Sequence, residues 1–387
     1  MKVCVLHNEY ESRLPSGETE AVLREVGLLR EEGVQNFYLR KSTDDFQSSR
    51  RHQQFVYLIK HVLLGFPNLS NRERTEIRNA DLLHIHNTFP FLGFRIIKYA
   101  KRMNKKVILT IHNARLTCLS GTHYRKSNPC FKCSQNKTFI FGMIYGCYRN
   151  SRFQSFLFAR YMRLYLKSFK DVDLFFVLNN HTRQSLINLG IKYSKISLMP
   201  NPVEGPVKTS QTKELNLLFA GRLTREKGVL ILIEAFKSAK ISDLGWRLHI
   251  AGSGELLREI KSHGEEDSAI IVHGQVSQTT LGQLIEDSSV VCVPSIAYEG
   301  FPTMVTKAAA HGRAVMISDV GPLSEIKELD WIRAYLPNAS EWAIGLRFIA
   351  NSNFWNTPNE GARAWWESTS STQVVKKLML ENFKSLK

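Results

Sequence analysis

The sequence has no apolar run long enough to span a lipid bilayer, and it has few cysteines. A membrane-spanning helix needs about 20 predominantly apolar residues, and every apolar stretch of this chain is shorter. The segment Met1–His7 becomes polar too early to be the core of a signal peptide. Six cysteines in 387 residues are too few for a disulfide scaffold. We therefore expect a globular protein that stays in the cytoplasm, in which clustered cysteines are metal ligands or buried thiols.

Acidic residues are missing from a long part of the first half. Between Leu82 and Lys170 there are 17 lysines and arginines and no aspartate or glutamate. Residues 1–200 hold 32 basic and 14 acidic residues, a net charge of +18, whereas residues 201–387 hold 20 and 21, a net of −1. Such a field favours nucleic acid, an anionic membrane or an acidic substrate as a partner. An ordinary solvated basic surface is the alternative, although such surfaces usually intersperse both signs.

The apolar segments predict two α/β domains of ordinary size, residues 1–200 and residues 201–387. Continuous apolar runs are typical of buried parallel strands, and helical patterns between them indicate βαβ units. A Pro- and Gly-rich linker at Met199–Pro206 separates the halves, and Ser340–Lys387 is predicted to form helices joined by an Asn-rich loop. The predicted strands are Lys2–His7, Leu82–His86, Val107–Ile111, Leu174–Leu178, Leu215–Ala220, Arg247–Ala251, Ala269–His273, Val290–Val293 and Ala314–Ser318, and the predicted helices include Thr19–Glu32, Val229–Lys240 and Thr303–His311.

One candidate site is the segment Ala220–Gly228, which leaves a predicted strand and enters a predicted helix. It contains Arg222 and Lys227, two cations that can clamp a diphosphate, and glycines that let the backbone approach a ligand. A nucleotide phosphate suits this arrangement. A solvated basic loop would have the same composition.

A second candidate site surrounds Glu299. Pro302 suits the first turn of a helix, so Glu299 lies in the loop just before it, next to the N-terminal amides of Thr303 and Met304. An isolated glutamate in a loop is usually only solvated. Here the turn Gly252-Ser253-Gly254 and the segment Val272–Val276 also follow predicted strands of the same half, where open α/β sheets bind ligands.

These segments, in this order, resemble the family-4 glycosyltransferases of GT-B architecture over nearly the whole chain. The matching motifs are Ser16-Gly17-Glu18, Thr110-Ile111-His112-Asn113, Pro200-Asn201-Pro202, Gly221-Arg222 with Lys227-Gly228, Gly252-Ser253-Gly254, and Pro294–Gly312. The resemblance implies two Rossmann-like parallel-sheet domains facing across a cleft, with C-terminal helices. It also implies retaining transfer from a nucleotide-sugar, UDP- or GDP-linked, to a lipid-linked or cell-surface polysaccharide acceptor, without a catalytic metal.

The resemblance assigns roles to individual residues. It places the donor in the second domain and the acceptor in the first, with closure at Pro200–Pro202. Arg222 and Lys227 would bind the donor diphosphate, with the amides of Thr303 and Met304 beside it, and Glu299 would bind the donor sugar. His112 would lie beside the anomeric carbon, and Gly17 would close over the reacting groups. The remaining donor contacts would be Gly252, Gln275, Val276, Gly300 and Phe301, of which Gln275 and Val276 would face the base.

Lys307 departs from the family pattern. In the family a second glutamate follows the first after seven residues and usually holds the ribose hydroxyls, and here that position is Lys307. An ammonium donates hydrogen bonds but cannot accept one from a ribose hydroxyl. A non-catalytic subunit with a degenerate transferase fold therefore stays an alternative to an active enzyme, although the phosphate clamp, His112 and Glu299 all favour activity.

Four cysteines lie within an insertion at about residues 113–150. Cys118, Cys130, Cys133 and Cys147 follow the spacing C-x11-C-x2-C-x13-C. Four thiolates with a C-x2-C pair suit a structural zinc site, although the outer spacings are loose. A structural zinc and reduced, locally packed cysteines are both consistent with this pattern.

The segment Arg152–Lys170 mixes basic and apolar residues at helical spacing, as interfacial helices do. We predict an anionic membrane, at its inner face, as the partner of Arg152, Arg160, Arg163 and Lys167. We expect Phe156, Ala159 and Leu166 to belong to the core. A second stretch of this kind runs from Arg50 to Leu64.

Two further interpretations are weaker. No nucleic-acid partner is expected, because the basic stretch has no helix-turn-helix or RNA-binding signature and the phosphate clamp would be left without a role. Asp171-Val172-Asp173 has the D-x-D form of a metal-binding motif in the other transferase fold. Its position just before a buried strand favours a structural role at the start of that strand.

Overall fold

Two six-stranded sheets organise the chain in the computed structural model. The structure describes residues 1–9, 17–42, 56–207, 214–355 and 359–386. Contacts divide it into one unit of residues 1–122, 131–202 and 375–387 and another of residues 123–130 and 203–374. Ser16 of the predicted glycine motif and residues 50–55 of the second basic stretch lie outside the described residues.

The first unit contains a parallel sheet of strand order β2-β1-β3-β4-β7-β8. Its interior strands are mostly apolar because helices cover both faces. The strands are β1 Lys2–Glu9, β2 Gln35–Ser42, β3 Leu82–Ile85, β4 Lys106–Ile111, β7 Leu174–Val177 and β8 Ile196–Leu198, and a separate hairpin pairs β5 Tyr124–Arg125 with β6 Asn128–Pro129. The helices are α1 Gly17–Glu31, a π-helical segment Leu58–Leu63, α2 Asn71–Asn79, α3 Arg95–Arg102, α4 Lys132–Gln135, α5 Ile140–Ile144, α6 Arg152–Lys167 and α7 Asn180–Asn188.

The second unit contains a parallel sheet of order β11-β10-β9-β12-β13-β14. The strands are β9 Asn216–Ala220, β10 Arg247–Ala251, β11 Ile270–Gly274, β12 Val290–Val293, β13 Ala314–Ser318 and β14 Ile332–Tyr335. The helices are α8 Val229–Ala239, α9 Leu257–Glu266, α10 Gln278–Glu286, α11 Thr303–Ala310, α12 Ala339–Ala350 and α13 Glu360–Thr369, followed by α14 Thr372–Ser385.

Each sheet has one point at which its strand order reverses. In the first sheet β1 and β3 are neighbours at this point, and in the second sheet β9 and β12 are. Loops that leave two such strands diverge to opposite sides, which opens a crevice at the carboxyl ends where α/β sheets bind ligands. The topology therefore predicts ligand-binding sites at the loops after β1, β3, β9 and β12.

The C-terminal helix differs from our expectation. We assigned the C-terminal helices to the second domain, but residues 375–387 group with the first unit. Val375, Met379 and Phe383 repeat at helical spacing along α14 and are buried in the apolar cluster of the first sheet. Residues 123–130 of the cysteine-containing insertion, which we assigned to the first domain, group with the second unit.

Candidate active site

In the second unit, the loops after β9 and β12 are fastened to each other. Gly228 has a φ of +73°, and a Cβ at this position would lie 1.8 Å from the carbonyl oxygen of Pro294, so only glycine allows the approach. The amides of Ile296 and Ala297 donate to the carbonyl oxygen of Glu226. These contacts hold the short 3-10 turn Arg225–Lys227 beside the loop that carries Glu299.

The result is a close ion pair between Lys227 and Glu299. Lys227 Nζ lies 2.6 Å from Glu299 Oε1 and 2.7 Å from Oε2, and the hydroxyl of Ser295 also donates to Oε1. Burial raises the pKa of the Glu299 carboxyl, but the charge and hydrogen bonds of Lys227, the Ser295 hydroxyl and the charge of Arg222 together lower it below its ordinary value. Glu299 is therefore ionised at neutral pH.

Arg222 is the exposed cation of this group. Its side chain keeps 62% of its exposure, and Nη2 lies 3.7 Å from Glu226 Oε1. An ion pair of that length on the surface contributes little. The guanidinium can therefore turn to an anionic ligand at small cost.

The glycine turn after β10 lies directly against the loop after β9. Gly252 has a φ of +143°, and a Cβ there would meet the carbonyl oxygen of Gly221 at 1.8 Å. The Gly252 amide donates to Gly274 at the end of β11, which places three strand ends side by side. Gln275 accepts a hydrogen bond of 3.4 Å from the Ser253 hydroxyl, and Val276 is half-buried next to it.

The loop before α11 and the first turns of this helix contain several of the predicted donor-binding residues. Gly300 and Phe301 are half-buried in the loop, and the Thr303 amide donates to the carbonyl oxygen of Phe301 rather than facing outward. Met304 occupies the first turn of α11. Lys307, one turn further on, donates to Gln278 Oε1 at 2.7 Å, so its ammonium faces the start of α10.

In the first unit, polar side chains gather at the carboxyl ends of β1, β3 and β4. His112 follows β4, and its Nε2 lies 2.9 Å from His86 Nδ1, with the two rings stacked. His7 on β1 lies with its Nε2 3.2 Å from Thr19 Oγ1 on α1. Burial lowers the pKa of His112 to about 3 and that of His7 to about 4, so both rings are neutral at pH 7.

Gly17 and Glu18 begin α1 at the same edge of the sheet. Gly17 is exposed, and its closure over a ligand stays a prediction. Burial raises the pKa of Glu18 to about 7, although the charge of Arg115 and hydrogen bonds from Asn87 and Asn113 oppose this shift. The carboxyl group of Glu18 therefore titrates close to neutral pH.

Several residues of this group are absent from our sequence-based set of site residues. They are His7, Glu18, His86, Asn87 and Arg115, and also Glu25 and His84, whose buried polar atoms lie within 4.8 Å of His86 Nε2. Two signals were available in the sequence. An H-x-H pair ends the predicted strand Leu82–His86, and Glu25 stands among Ala21, Val22 and Val26 on the apolar face of a predicted helix.

The cysteines of the insertion belong to different units, Cys130 to the second and Cys118, Cys133 and Cys147 to the first. Cys118 is buried, with its Sγ 3.1 Å from Ser120 Oγ, whereas Cys130, Cys133 and Cys147 are half-buried. Over the part of the chain that the structure describes, only Glu25, His84 and His86 form a group of three or more possible ligands within 4.8 Å of one another.

Helix α6 presents basic and aromatic side chains to solvent. Arg152, Arg160, Arg163 and Lys167 are all exposed, in agreement with their assignment to a surface. Phe156 is 54% exposed and Phe153 is 68% exposed. The expectation that Phe156 belongs to the core is wrong, because Phe158 and Tyr161 fill the inner face instead; Ala159 is buried as expected and Leu166 is half-buried.

Asp173 serves the start of β7. Its carboxylate accepts hydrogen bonds from Lys101 Nζ at 2.8–2.9 Å and from the Val107 amide at 2.8 Å. These contacts agree with a structural role for the D-x-D segment.

No helix among the described residues has the length and apolar character needed to cross a membrane.

Comparison with known proteins agrees with this architecture. The profile described as "Glycosyltransferase Family 4" matches residues 28–204, and that described as "Glycosyl transferases group 1" matches residues 214–347. Solved structures with the same fold include Anabaena HepE in complex with UDP and glucose, at 13% identity and a TM-score of 0.66 with 100% of both chains covered. Another is the apo form of the lipopolysaccharide outer core galactosyltransferase WaaB, at 16% identity and a TM-score of 0.63, again with 100% of both chains covered.

The two parallel-sheet α/β units and the helical C-terminus define a protein of the GT-B class. Within that class, the chain contains a domain of glycosyltransferase family 4 followed by a domain of the glycosyl transferases group 1.

Curated relatives share shorter stretches. An uncharacterized glycosyltransferase of Methanocaldococcus jannaschii is 32% identical over 141 residues, which are 35% of this chain and 36% of the relative. The lipopolysaccharide 1,6-galactosyltransferase of Escherichia coli is 27% identical over 38% of this chain and 43% of its own length. The lipopolysaccharide 1,2-N-acetylglucosaminetransferase of Salmonella typhimurium is 30% identical over 31% and 34%. The chain thus spans less than half the length of these relatives.

Proposed function

We propose that this protein is a retaining glycosyltransferase that moves a sugar from a nucleotide-sugar to a lipid-linked or cell-surface polysaccharide acceptor. The observation that carries the proposal is the group Arg222, Lys227 and Glu299 at the reversal point of the second sheet. Named relatives that act on lipopolysaccharide support the acceptor class. The neighbour that binds UDP makes a UDP-linked sugar the first donor to test.

Electrostatic stabilisation of the leaving diphosphate is the main task of this group. Negative charge grows on the diphosphate as the bond to the sugar breaks, and preorganised cations lower the energy of that transition state. Arg222 is exposed and weakly paired, so it can bind the diphosphate directly. Lys227 is held by Glu299 and adds a second positive charge beside it, so no metal ion is required for this role.

Glu299 fixes the position of the Lys227 ammonium group. Its carboxylate accepts two bonds from Lys227 and one from Ser295, and it stays ionised at neutral pH. Such a carboxylate can accept hydrogen bonds from hydroxyl groups of the donor sugar. His112, neutral and bonded to His86, offers an uncharged polar group at the carboxyl end of β4 for the sugar that reacts.

The proposal is tested by a screen of nucleotide-sugars. The measurements are the shift in melting temperature and hydrolysis or transfer of the sugar. We expect one donor to be both bound and turned over. Binding of a donor without turnover under any condition, with a set of lipid-linked acceptors added, would favour the non-catalytic subunit that Lys307 leaves open.

We also propose that the first unit attaches to the anionic inner surface of the membrane, where lipid-linked acceptors are found. The exposed cations of α6 alternate with Phe153 and Phe156, and α5, which packs against α6, exposes Ile140 and Ile144. At the C-terminal end of α6 a groove is lined by apolar side chains and by cations, namely Leu166, Phe169, Leu189 and Ile191 and Lys167, Lys170, Lys192 and Lys195. Cations around apolar side chains suit a surface of acidic lipids.

A further inference from the structure

Three buried polar atoms lie close together around His86, the histidine whose ring contacts His112. They are Glu25 Oε2, His84 Nδ1 and His86 Nε2, and all of them lie within 4.8 Å of one another. Glu25 Oε2 is 3.5 Å from each of the two histidine nitrogens. Among the described residues, none of the three atoms has a hydrogen-bond partner, and the side chains are 0–1% exposed.

The secondary structure explains why these side chains meet. His84 and His86 are two residues apart at the end of β3, so they point to the same face of the sheet. Helix α1 covers that face with Ala21, Val22, Val26 and Leu29, and Glu25 projects from among these apolar residues. An ionised carboxylate on the buried face of an amphipathic helix needs a compensating partner, since burial without one is unfavourable.

Direct hydrogen bonding does not provide that partner. A hydrogen bond between these atoms requires about 2.7–3.2 Å, and both measured separations are longer. Two ligands bound to one zinc ion at about 2.0–2.2 Å with tetrahedral geometry lie roughly 3.3–3.6 Å apart. The observed separations of 3.5 Å therefore fit the edge of a coordination polyhedron.

The opposite nitrogen of each histidine ring is already held. His84 Nε2 lies 2.7 Å from Thr110 Oγ1, and His86 Nδ1 lies 2.9 Å from His112 Nε2. Metal-binding histidines almost always bond their second ring nitrogen to a neighbouring polar group, which fixes the tautomer and the ring orientation. Both rings therefore have the environment of metal ligands, with one nitrogen fixed and the other aimed at a shared point.

We propose that Glu25, His84 and His86 bind one divalent transition-metal ion, with zinc as the first candidate. Two imidazoles and one carboxylate match the ligands that zinc takes, and iron(II) and manganese(II) are the other ions that accept this set. When His86 binds the ion through Nε2, its ring proton is on Nδ1, and this N–H donates a hydrogen bond to His112 Nε2. The ion thereby fixes the tautomer and position of His112, and it takes no part in bond breaking.

The first test is metal analysis of the full chain purified without chelator, followed by replacement with cobalt(II). We expect about one ion per chain and visible d–d bands without the intense sulfur-to-cobalt charge-transfer band that cysteine ligands give. A chain that takes up no ion when zinc or cobalt is added overturns the proposal. A spectrum dominated by sulfur ligands assigns the ion to the cysteines of the insertion and overturns it as well.

Variants separate this site from the cysteines. Glu25→Gln should remove the ion, and Thr110→Val, which keeps the shape of a buried side chain but not its hydroxyl, should weaken binding about 10- to 100-fold. The Cys130→Ser/Cys133→Ser variant and His249→Gln, from the histidine pair His249–His273 of the second unit, should keep the ion. Full occupancy in folded Thr110→Val and Glu25→Gln protein contradicts the proposal.

The parent-chain cobalt spectrum decides the question if Glu25→Gln does not fold. The proposal does not depend on the proposed transfer reaction. Metal content and sugar transfer are measured separately, so one can fail without the other.

Discussion

At the scale of single residues, the two cations of the second unit differ in how the protein holds them. Arg222 is exposed and pairs only at 3.7 Å, whereas Lys227 is fixed by both oxygens of a half-buried carboxylate. The guanidinium of Arg222 can move to contact the ligand, whereas Lys227 provides a positive charge at a fixed position. Their substitution should therefore affect activity alike but stability differently.

We expect Arg222→Ala and Lys227→Ala each to lower transfer about 100-fold or more, because each removes a charge that stabilises the transition state. Steady-state kinetics with the donor found in the screen provides the measurement. Arg225→Ala is the matched control, since Arg225 lies in the same loop and is 57% exposed. Near-normal turnover in Arg222→Ala, which should fold normally, would show that the assignment of the phosphate clamp is wrong.

Glu299→Gln should reduce turnover far more than it reduces binding of a nucleoside diphosphate. The amide of glutamine keeps the shape of the side chain but lacks the negative charge that we assign to sugar binding. Lys227 then loses its ion pair and is free to bind the diphosphate. Calorimetry with the diphosphate and kinetics with the nucleotide-sugar separate the two effects. A large loss of diphosphate affinity would place Glu299 in the phosphate site instead.

The same pair predicts a dependence of stability on pH. The pKa of Glu299 is lowered in the folded protein from an ordinary value of 4.5, so the pair stabilises the fold above about pH 4.5. The stabilisation is lost as the pH falls through the lowered folded pKa. We expect the difference in melting temperature between the parent and Glu299→Gln to be constant from about pH 6 to 8 and to shrink below about pH 4.5. A difference that is unchanged in acid would contradict this origin.

At the scale of elements, α6 uses its two faces for different purposes. Ser155, Phe158, Ala159, Tyr161, Met162 and Tyr165 form the buried face, and the opposite face carries the four cations and two exposed phenylalanines. Ser151 caps the helix by accepting from the Gln154 amide. Charge changes on the outer face should therefore leave the packing intact.

Changing Arg152, Arg160, Arg163 and Lys167 to Glu should release the protein from vesicles that contain anionic lipid. Each cation near such a surface contributes about 1 kcal/mol, and salt weakens the attraction. Co-sedimentation across a salt series measures the effect. Transfer to a lipid-linked acceptor should slow, whereas hydrolysis of the soluble donor should change little.

A matched charge reversal at Lys237, Lys240, Arg258 and Lys261 of the second unit controls for total charge. Unchanged vesicle binding by the α6 variant would rule out this helix as the attachment surface. Loss of vesicle binding by both variants would point to net charge rather than to a face.

At the scale of the whole molecule, α14 connects the end of the chain to its beginning. Phe383 packs against Phe176 and against the ring of His84, next to the proposed metal site. Val375 and Met379 bury beside Val3 and Val5 of β1. The last helix is thus part of the first core.

We expect Phe383→Ala to lower the free energy of unfolding of the first unit by about 3–5 kcal/mol, because it leaves a cavity in a closely packed core. Chemical denaturation measures it, with Lys384→Ala, the exposed neighbour on the same helix, as the control. A loss of less than about 1 kcal/mol would mean that α14 contributes little to this core.

The sequence by itself determined most of the buried strands, the two-domain α/β plan and the loops that carry Arg222, Lys227, Glu299 and His112. Buried parallel strands are continuous apolar runs, and ligand loops follow them directly, so both are recorded in local order. Strands Arg247–Ala251, Val290–Val293 and Ala314–Ser318 begin and end where they were predicted. Strands β2, β8 and β14 were not predicted, because they are partly exposed or short and lack a long apolar run.

Only the tertiary structure decided which distant residues meet. Lys227 and Glu299 are 72 residues apart and meet because β9 and β12 are neighbours in the sheet. Glu25 meets His84 and His86 because α1 crosses the face of β3, and α14 returns to the first core although it follows the second unit in sequence. Periodicity reports which face of an element is apolar, but the strand order and the partner of each face depend on how the whole chain packs.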